Sequence, residues 1–172
     1  MRLFGGKDRE IMIESAGDED IAYCVDVIMN AMSAMGAQSV TKEGLEQTLK
    51  TPNVLILIGK VKNKIVGMIS GLAFPTLVPP PRIDFLSVSD DESVRQGLHA
   101  MLIDAFLEEL KRRLSNARYV DTTVATSNPQ FVAIYSVKGF VVTGFTRGDQ
   151  PNTDTVILRK SLAGEPPQSY TA

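Results

Sequence analysis

Residues 83–113 constrain this chain most, because a short apolar strand, a polar turn with one glycine and a long helix follow one another there. Ile83, Phe85, Leu86 and Val88 form an apolar run of strand length interrupted by Asp84 and Ser87, the pattern of a strand covered on both faces. Further on the period changes. Leu98, Met101, Leu102, Ala105, Phe106, Leu110 and Leu114 recur at three- and four-residue spacing, and Lys111, Arg112 and Arg113 stand where a helix dipole is negative. Between strand and helix, Val94, Arg95, Gln96, Gly97, Leu98 and His99 make a turn whose backbone N–H groups have no helical partners. They point towards whatever lies above the strand's carboxyl end, and such a corner favours anions, phosphates above all.

With 172 residues and 44% apolar content, a single compact domain over 1–172 is expected, with 1–9 as a loosely ordered leader and 163–172 as a loose tail. A net charge of −2, with 18 basic residues scattered along the chain, argues against nucleic acid and anionic membrane as main partners, since both need a concentrated basic surface. The charge points to a small ligand or a protein and leaves a homodimer open. A single cysteine, Cys24, rules out an internal disulfide and suits a reducing compartment. The start of the chain lacks the apolar core of a signal peptide, and the uncharged stretch 65–81 is broken by Gly67, Gly71, Pro75 and three consecutive prolines. A cytoplasmic protein without a transmembrane segment is the expectation. One histidine makes a multi-histidine metal site impossible, so no metal is expected.

Along the rest of the chain, Ile11 and Ile13 alternate with polar neighbours as a first short strand. Ile21, Val25, Ile28, Met32 and Met35 then share a helical face, with Asp18 as cap and Gly36 as stop. Met29, Met32 and Met35 read as core rather than as a pliable binding surface. Thr41 caps a second helix through Leu45 and Leu49 that ends before Pro52. Two β-rich runs, 54–58 and 65–74, flank Lys62, Asn63 and Lys64 as a hairpin. The run 119–126 is a strand parallel to the one at 83–88, since a helix crosses between them. Asn128 is a suitable N-cap, Pro129 fits the first helical position, Gly139 fits the left-handed stop and Phe140 can pack back on the last turn. The runs 141–145 and 155–159 close the chain as an antiparallel pair.

Asn128, Tyr135 seven residues on, and then Gly139 and Phe140 resemble the second signature of the GNAT superfamily of acyl-CoA-dependent N-acetyltransferases. The order of elements from 11 to 162 is similar to that family's, so the resemblance covers nearly the whole chain. It implies an α/β (α+β) fold: a mixed central sheet of about seven strands with roughly four helices, its parallel central pair splayed to admit the cofactor. The family's first signature is met in part. Aligned on Gly97, the turn has Val94 where the family has a basic or amide residue and His99 where it has a small one, while Leu102 and Ile103 match its paired aliphatics. Asp90, Asp91 and Glu92 also bring negative charge near the presumed pyrophosphate.

What the resemblance implies for function is acetyl-CoA as acyl donor and a primary amine as acceptor, joined by direct transfer. Leu86, Ser87, Val88, Arg95, Gln96, Gly97, Leu98, His99, Ala100 and Asn128 are then the cofactor-binding candidates, with backbone N–H groups at 86–88 holding the oxyanion. Transfer of acetyl from a thioester to an amine needs a base for the amine and a proton for the departing thiolate. The resemblance puts Tyr135 beside the cofactor sulfur, and a phenol of pKa ~10 is protonated at neutral pH, so Tyr135 is the candidate acid. Asp84 is the candidate base, with Asp121 on the neighbouring strand second. His99 reads as a neutral ring near the phosphates or an exposed side chain, and Cys24 as a small buried hydrophobe. The alternative is a non-catalytic binding module on the same fold, whose altered 94–99 turn has lost productive acetyl-CoA binding. The acceptor's identity is left open, because the loops 37–40, 74–81 and 146–154 do not reduce to one ligand.

Overall fold

The computed structural model describes residues 2–5, 9–34, 40–74, 79–89, 92–148 and 153–163. The elements run β1 (Arg2–Gly5), β2 (Arg9–Ser15), α1 (Asp18–Ala34), α2 (Lys42–Leu49), β3 (Val54–Val61), β4 (Lys64–Leu72), β5 (Arg82–Val88), α3 (Glu92–Arg113), β6 (Tyr119–Ala125), α4 (Pro129–Val137), β7 (Val141–Thr146) and β8 (Thr155–Ser161). The strands form a mixed sheet in the order β1-β2-β3-β4-β5-β6-β8-β7. The residues group into two compact units: Met1–Gly71 with Phe85–Phe106, and Leu72–Asp84 with Leu107–Ala172. Strand β5 and helix α3 each run through both. Among the described residues no helix is long and apolar enough to cross a membrane.

In the first unit, β1 pairs antiparallel with β2, Arg2 opposite Met12 and Gly5 opposite Arg9. Residues 2–5, expected as part of a loose leader, are therefore an edge strand, and the sheet has eight strands among the described residues where about seven are expected. Pairing along the open backbone edge of β2 supplies hydrogen bonds that local propensity does not foretell. β2 in turn pairs antiparallel with β3, Met12 opposite Lys60. The turn between β3 and β4 has Lys62 at φ 48 and Asn63 at φ 64, the paired positive values of a tight two-residue hairpin.

The core of this unit joins Ile21, Cys24, Val25 and Ile28 of α1 to Leu49, Ile56, Ile58 and Met68, with Met29, Met32 and Phe85 packed against it. The methionine stripe is thus core where it is described; Met35 and Gly36 lie outside the described residues. Helix α1 is closed at its start by Asp20 rather than Asp18, because Asp20 Oδ2 accepts the Gly17 N–H at 3.0 Å. A carboxylate three residues into a helix can reach back to the capping residue in this way. Thr41 caps α2 as expected, its hydroxyl accepting the Gly44 N–H at 3.1 Å. Glycine is needed where α3 meets the sheet: a Cβ on Gly67 would stand 3.1 Å from Leu98 Cδ2 and 3.1 Å from the Ser87 carbonyl oxygen.

In the second unit, β5 and β6 are parallel neighbours, Arg82 opposite Asp121 and Ile83 opposite Thr122. β6 pairs antiparallel with β8 from Tyr119 opposite Ser161 to Ala125 opposite Thr155. β8 lies between β6 and β7, whose ladder with it carries a bulge between Val142 and Gly144. The inward positions of β6 are Val120, Thr122 and Val124, all buried. Helix α4 follows β6 directly.

Candidate active site

Helix α4 is held at its carboxyl end by a complete left-handed cap. Gly139 has φ +80, its N–H donates to the Ser136 carbonyl at 2.9 Å, and the Phe140 N–H donates to the Tyr135 carbonyl at 3.1 Å. These are the two bonds of a Schellman motif, and its usual apolar contact is present as an edge-to-face pair of the Tyr135 and Phe140 rings, centroids 5.1 Å apart. Lys160 adds a third closure by donating from Nζ to the Lys138 carbonyl at 2.6 Å, a cation where the helix dipole is negative. The spacing from Tyr135 to Gly139 and Phe140 thus has a local cause: the cap fixes the last turn on which Tyr135 sits. At the other end Asn128 occupies the capping position before Pro129, but its side chain makes no cap hydrogen bond. That differs from expectation, and the first turn is closed instead by the backbone, the Phe131 N–H donating to the Asn128 carbonyl at 3.1 Å.

Tyr135 is 3% exposed, and its phenol is hydrogen-bonded to Thr122. Burial pushes the phenol up to about 12, while the bond to Thr122 pulls the other way. Thr122 is itself buried and donates from Oγ1 to the Ile83 carbonyl at 3.1 Å. Tyr135, Thr122 and Ile83 therefore form one hydrogen-bonded line from α4 through β6 to β5.

The other face of the same strand pair carries the acids. Arg82, Ile83, Asp84, Asp121, Thr122 and Thr123 line a cleft of about 130 Å³. Asp84 Oδ1 pairs with Arg82 Nε at 2.7 Å, and its side chain is 41% exposed. Burial of the carboxylate against the cleft wall raises its pKa above the ordinary value, outweighing the lowering by Arg82. Asp121 is differently placed: both its oxygens are taken by Arg159, at 2.7 and 2.8 Å, and that guanidinium lies 5.4 Å from the centre of the Tyr119 ring. A bidentate, stacked arginine is a structural tie, which leaves Asp84 as the acid with a free oxygen among these two. Side chains alternate across a strand, so Asp84 and Asp121 face one side of β5 and β6, and Thr122 with Tyr135 the other.

In the first unit, Leu86 is buried while Ser87 and Val88 are half-buried. Helix α3 begins at Glu92, ahead of the expected turn over 94–99, yet Gly97 within it has φ +90, far from helical values. The break is therefore at Gly97 itself, preceded by a short helical lead. A Cβ placed on Gly97 would meet nothing within 4 Å, so its backbone is open to a close approach. Leu98 is fully buried as the first core residue of the helix, and His99 and Ala100 are half-buried. The side chains of Arg95 and Gln96 lie outside the described residues. Cys24 is fully buried and its thiol is pushed up to about 11, first by burial and then by Asp20, as suits a small hydrophobe.

Two features escape sequence reading. Thr122 carries a faint signal, being the polar residue among the inward positions of β6. The Asp121–Arg159 tie carries none, since it depends on β8 lying beside β6.

No family model and no curated protein matches the chain in sequence. Solved structures match it in fold. An acetyltransferase of the GNAT family from Streptococcus pneumoniae superposes with a TM-score of 0.67 at 21% identity, covering 88% of this chain and 98% of that one. The structure of yncA from Salmonella typhimurium with its cofactor acetyl-CoA gives 0.72 at 14% identity, covering 90% and 95%. Mutant forms of the spermidine/spermine N-acetyltransferase SpeG from Vibrio cholerae give 0.65 at 15% identity, covering 88% and 95%. The chain has the GNAT fold, a mixed sheet with four helices and a parallel central pair, as the resemblance implied.

Proposed function

We propose that this chain is an acetyl-CoA-dependent N-acetyltransferase that moves the acetyl group to a primary amine by direct transfer. The observation that carries the reading is Tyr135, buried on a helix whose Asn128, Tyr135, Gly139 and Phe140 resemble the second GNAT signature, on a chain with the GNAT fold. The neighbours support the donor and acceptor classes: one is solved with acetyl-CoA, and another is named for spermidine and spermine. The open backbone at Gly97 suits a phosphate-bearing donor, since an exposed glycine at a break within α3 lets a ligand approach the main chain without side-chain hindrance. Backbone groups of Leu86, Ser87 and Val88, the turn Arg95, Gln96, Gly97, Leu98, His99 and Ala100, and Asn128 are the residues that would hold it. Acetyl-CoA supplies the activated acyl group.

Asp84 then accepts a proton from the amine, directly or through one water, its raised pKa making it a better base than an ordinary aspartate. Tyr135 gives its hydroxyl proton to the departing thiolate. Asp84 and Tyr135 face opposite sides of β5 and β6, so on this reading the thioester and the amine meet both groups only between these strands, which pair with Arg82 opposite Asp121 and Ile83 opposite Thr122. Thermal melting with and without acetyl-CoA tests donor binding: at 100 times the dissociation constant a ligand adds about 2.7 kcal/mol to a competent fold. Thiol release across a panel of primary amines, spermidine among them, tests transfer. No shift at millimolar acetyl-CoA would favour the binding-module alternative.

A further inference from the structure

Thr122 is an unusual choice for its place. It stands inward between Val120 and Val124, 4% exposed, where valine has nearly the same shape and carries no hydroxyl to satisfy. Its hydroxyl has one proton and two acceptor sites. The proton is donated to the Ile83 carbonyl at 3.1 Å, so towards Tyr135 the same oxygen can only accept. Thr122 lowers the Tyr135 pKa, which only a donation from its hydroxyl to the ionised phenol can do, and in the resting protein that hydroxyl is held on the Ile83 carbonyl.

We propose that Thr122 is a positioning residue for proton transfer at Tyr135: when Tyr135 gives up its proton, the Thr122 hydroxyl turns from the Ile83 carbonyl and donates to the Tyr135 oxygen. The proposal rests on the reading of Tyr135 as the acid. Rotation about one C–O bond reverses the line, and no heavy atom in it has to move. In the transfer the Tyr135 O–H bond breaks as the S–H bond of the leaving thiol forms. The Thr122 proton stays on its own oxygen and changes only its acceptor, and the phenolate regains a proton from water afterwards. The need for such help follows from acidity: a buried phenol near 12 gives a proton only reluctantly to a thiolate whose acid is near 8.5. A donor that faces the phenolate and not the phenol narrows that gap in the reacting state alone.

Thr122→Val and Thr122→Ser separate this role from packing, assayed by thiol release with acetyl-CoA and the best amine of the panel above. Thr122→Val should lose at least about tenfold in kcat with KM for acetyl-CoA within about threefold, while Thr122→Ser, which keeps the hydroxyl, should stay within about threefold of wild type in both. In a Tyr135→Phe background, Thr122→Val should cost nothing further, because a residue that acts through another has no effect once the other is gone. Should Thr122→Val fail to melt cooperatively, Thr122→Ala takes its place with the same expectation. A kcat within threefold of wild type for Thr122→Val, or an equal loss in the Tyr135→Phe background, would overturn the role for Thr122 and leave Tyr135 as the acid. Wild-type turnover in Tyr135→Phe itself would overturn the acid assignment, and the proposal with it.

Discussion

The Phe140 N–H reaches back across Gly139 to the Tyr135 carbonyl, and the two rings meet edge to face at 5.1 Å. Backbone and side chain of Tyr135 are thus fixed by the same two residues that end its helix. A hydroxyl presented from such a turn keeps its position without a mobile loop to order, and orientation of that kind is a large part of what an acid contributes.

Tyr135→Phe keeps this pair of rings and removes only the hydroxyl. Thr122 keeps its bond to the Ile83 carbonyl, so no buried donor is stranded, and stability should fall by about 1 kcal/mol or less. Turnover should fall roughly 100- to 10,000-fold while acetyl-CoA binding survives. Thiol release and a melt with acetyl-CoA measure the two separately. Turnover within a factor of about three would leave Tyr135 a packing role.

Gly139→Ala places a Cβ at φ +80 and 2.9 Å from Lys160 Nζ. The backbone strain alone is worth about 1–2 kcal/mol, and Lys160 would also have to give up the Lys138 carbonyl. Gly139→Asn should cost less, since asparagine tolerates the left-handed region. Urea titration of the two variants gives the order, and an alanine variant as stable as wild type would contradict it.

Asp84 titrates above an ordinary aspartate because burial outweighs Arg82. An acid whose folded pKa is raised contributes stability that is fully present below its unfolded value of 3.8 and is lost as pH rises through the folded value. Asp84→Asn should therefore melt above wild type at pH 7, with the gain vanishing below the unfolded value, while thiol release falls by about 100-fold or more. A lower melting temperature at pH 7 would mean that Arg82 outweighs the burial.

Gly97→Asp should weaken acetyl-CoA binding much more than Arg95→Ala. The aspartate adds a strained φ near +90 and a negative charge where phosphates are proposed to sit, whereas Arg95→Ala removes one cation and leaves the backbone turn intact. Isothermal titration with acetyl-CoA compares them. Equal losses would assign the phosphates to side-chain charge.

Local features were the legible part of this chain. Asn128, Pro129, Gly139 and Phe140 mark α4 because caps are written in neighbouring residues, and β5, α3 and β6 follow from periodicity and the crossover rule. What was hidden depends on partners far apart in the chain. Asp121 and Arg159 meet only because β8 inserts between β6 and β7, and Arg2–Gly5 becomes a strand only because β2 offers an edge. Asp18 was the nearer candidate to cap α1, and Asp20 won because it stands where its carboxylate can turn back on Gly17. Of the site, the role proposed for Tyr135 came from the resemblance and that proposed for Asp84 from its place on β5, whereas the contact of Tyr135 with Thr122 and of Thr122 with Ile83 needed coordinates.

The bulge in β7 bears on how this molecule behaves in a crowded solution. β7 ends the sheet and leaves Val142 and Phe145 about half exposed, at 50% and 56%. A flat apolar edge of that kind would template further strands and seed fibres. The register slip between Val142 and Gly144 puts Thr143 out of step with β8, so the rim is twisted and its row of free N–H and C=O groups is interrupted at the middle. One inserted residue thus works as a guard against runaway stacking, and a deletion that restored the even ladder would be expected to cloud a concentrated solution.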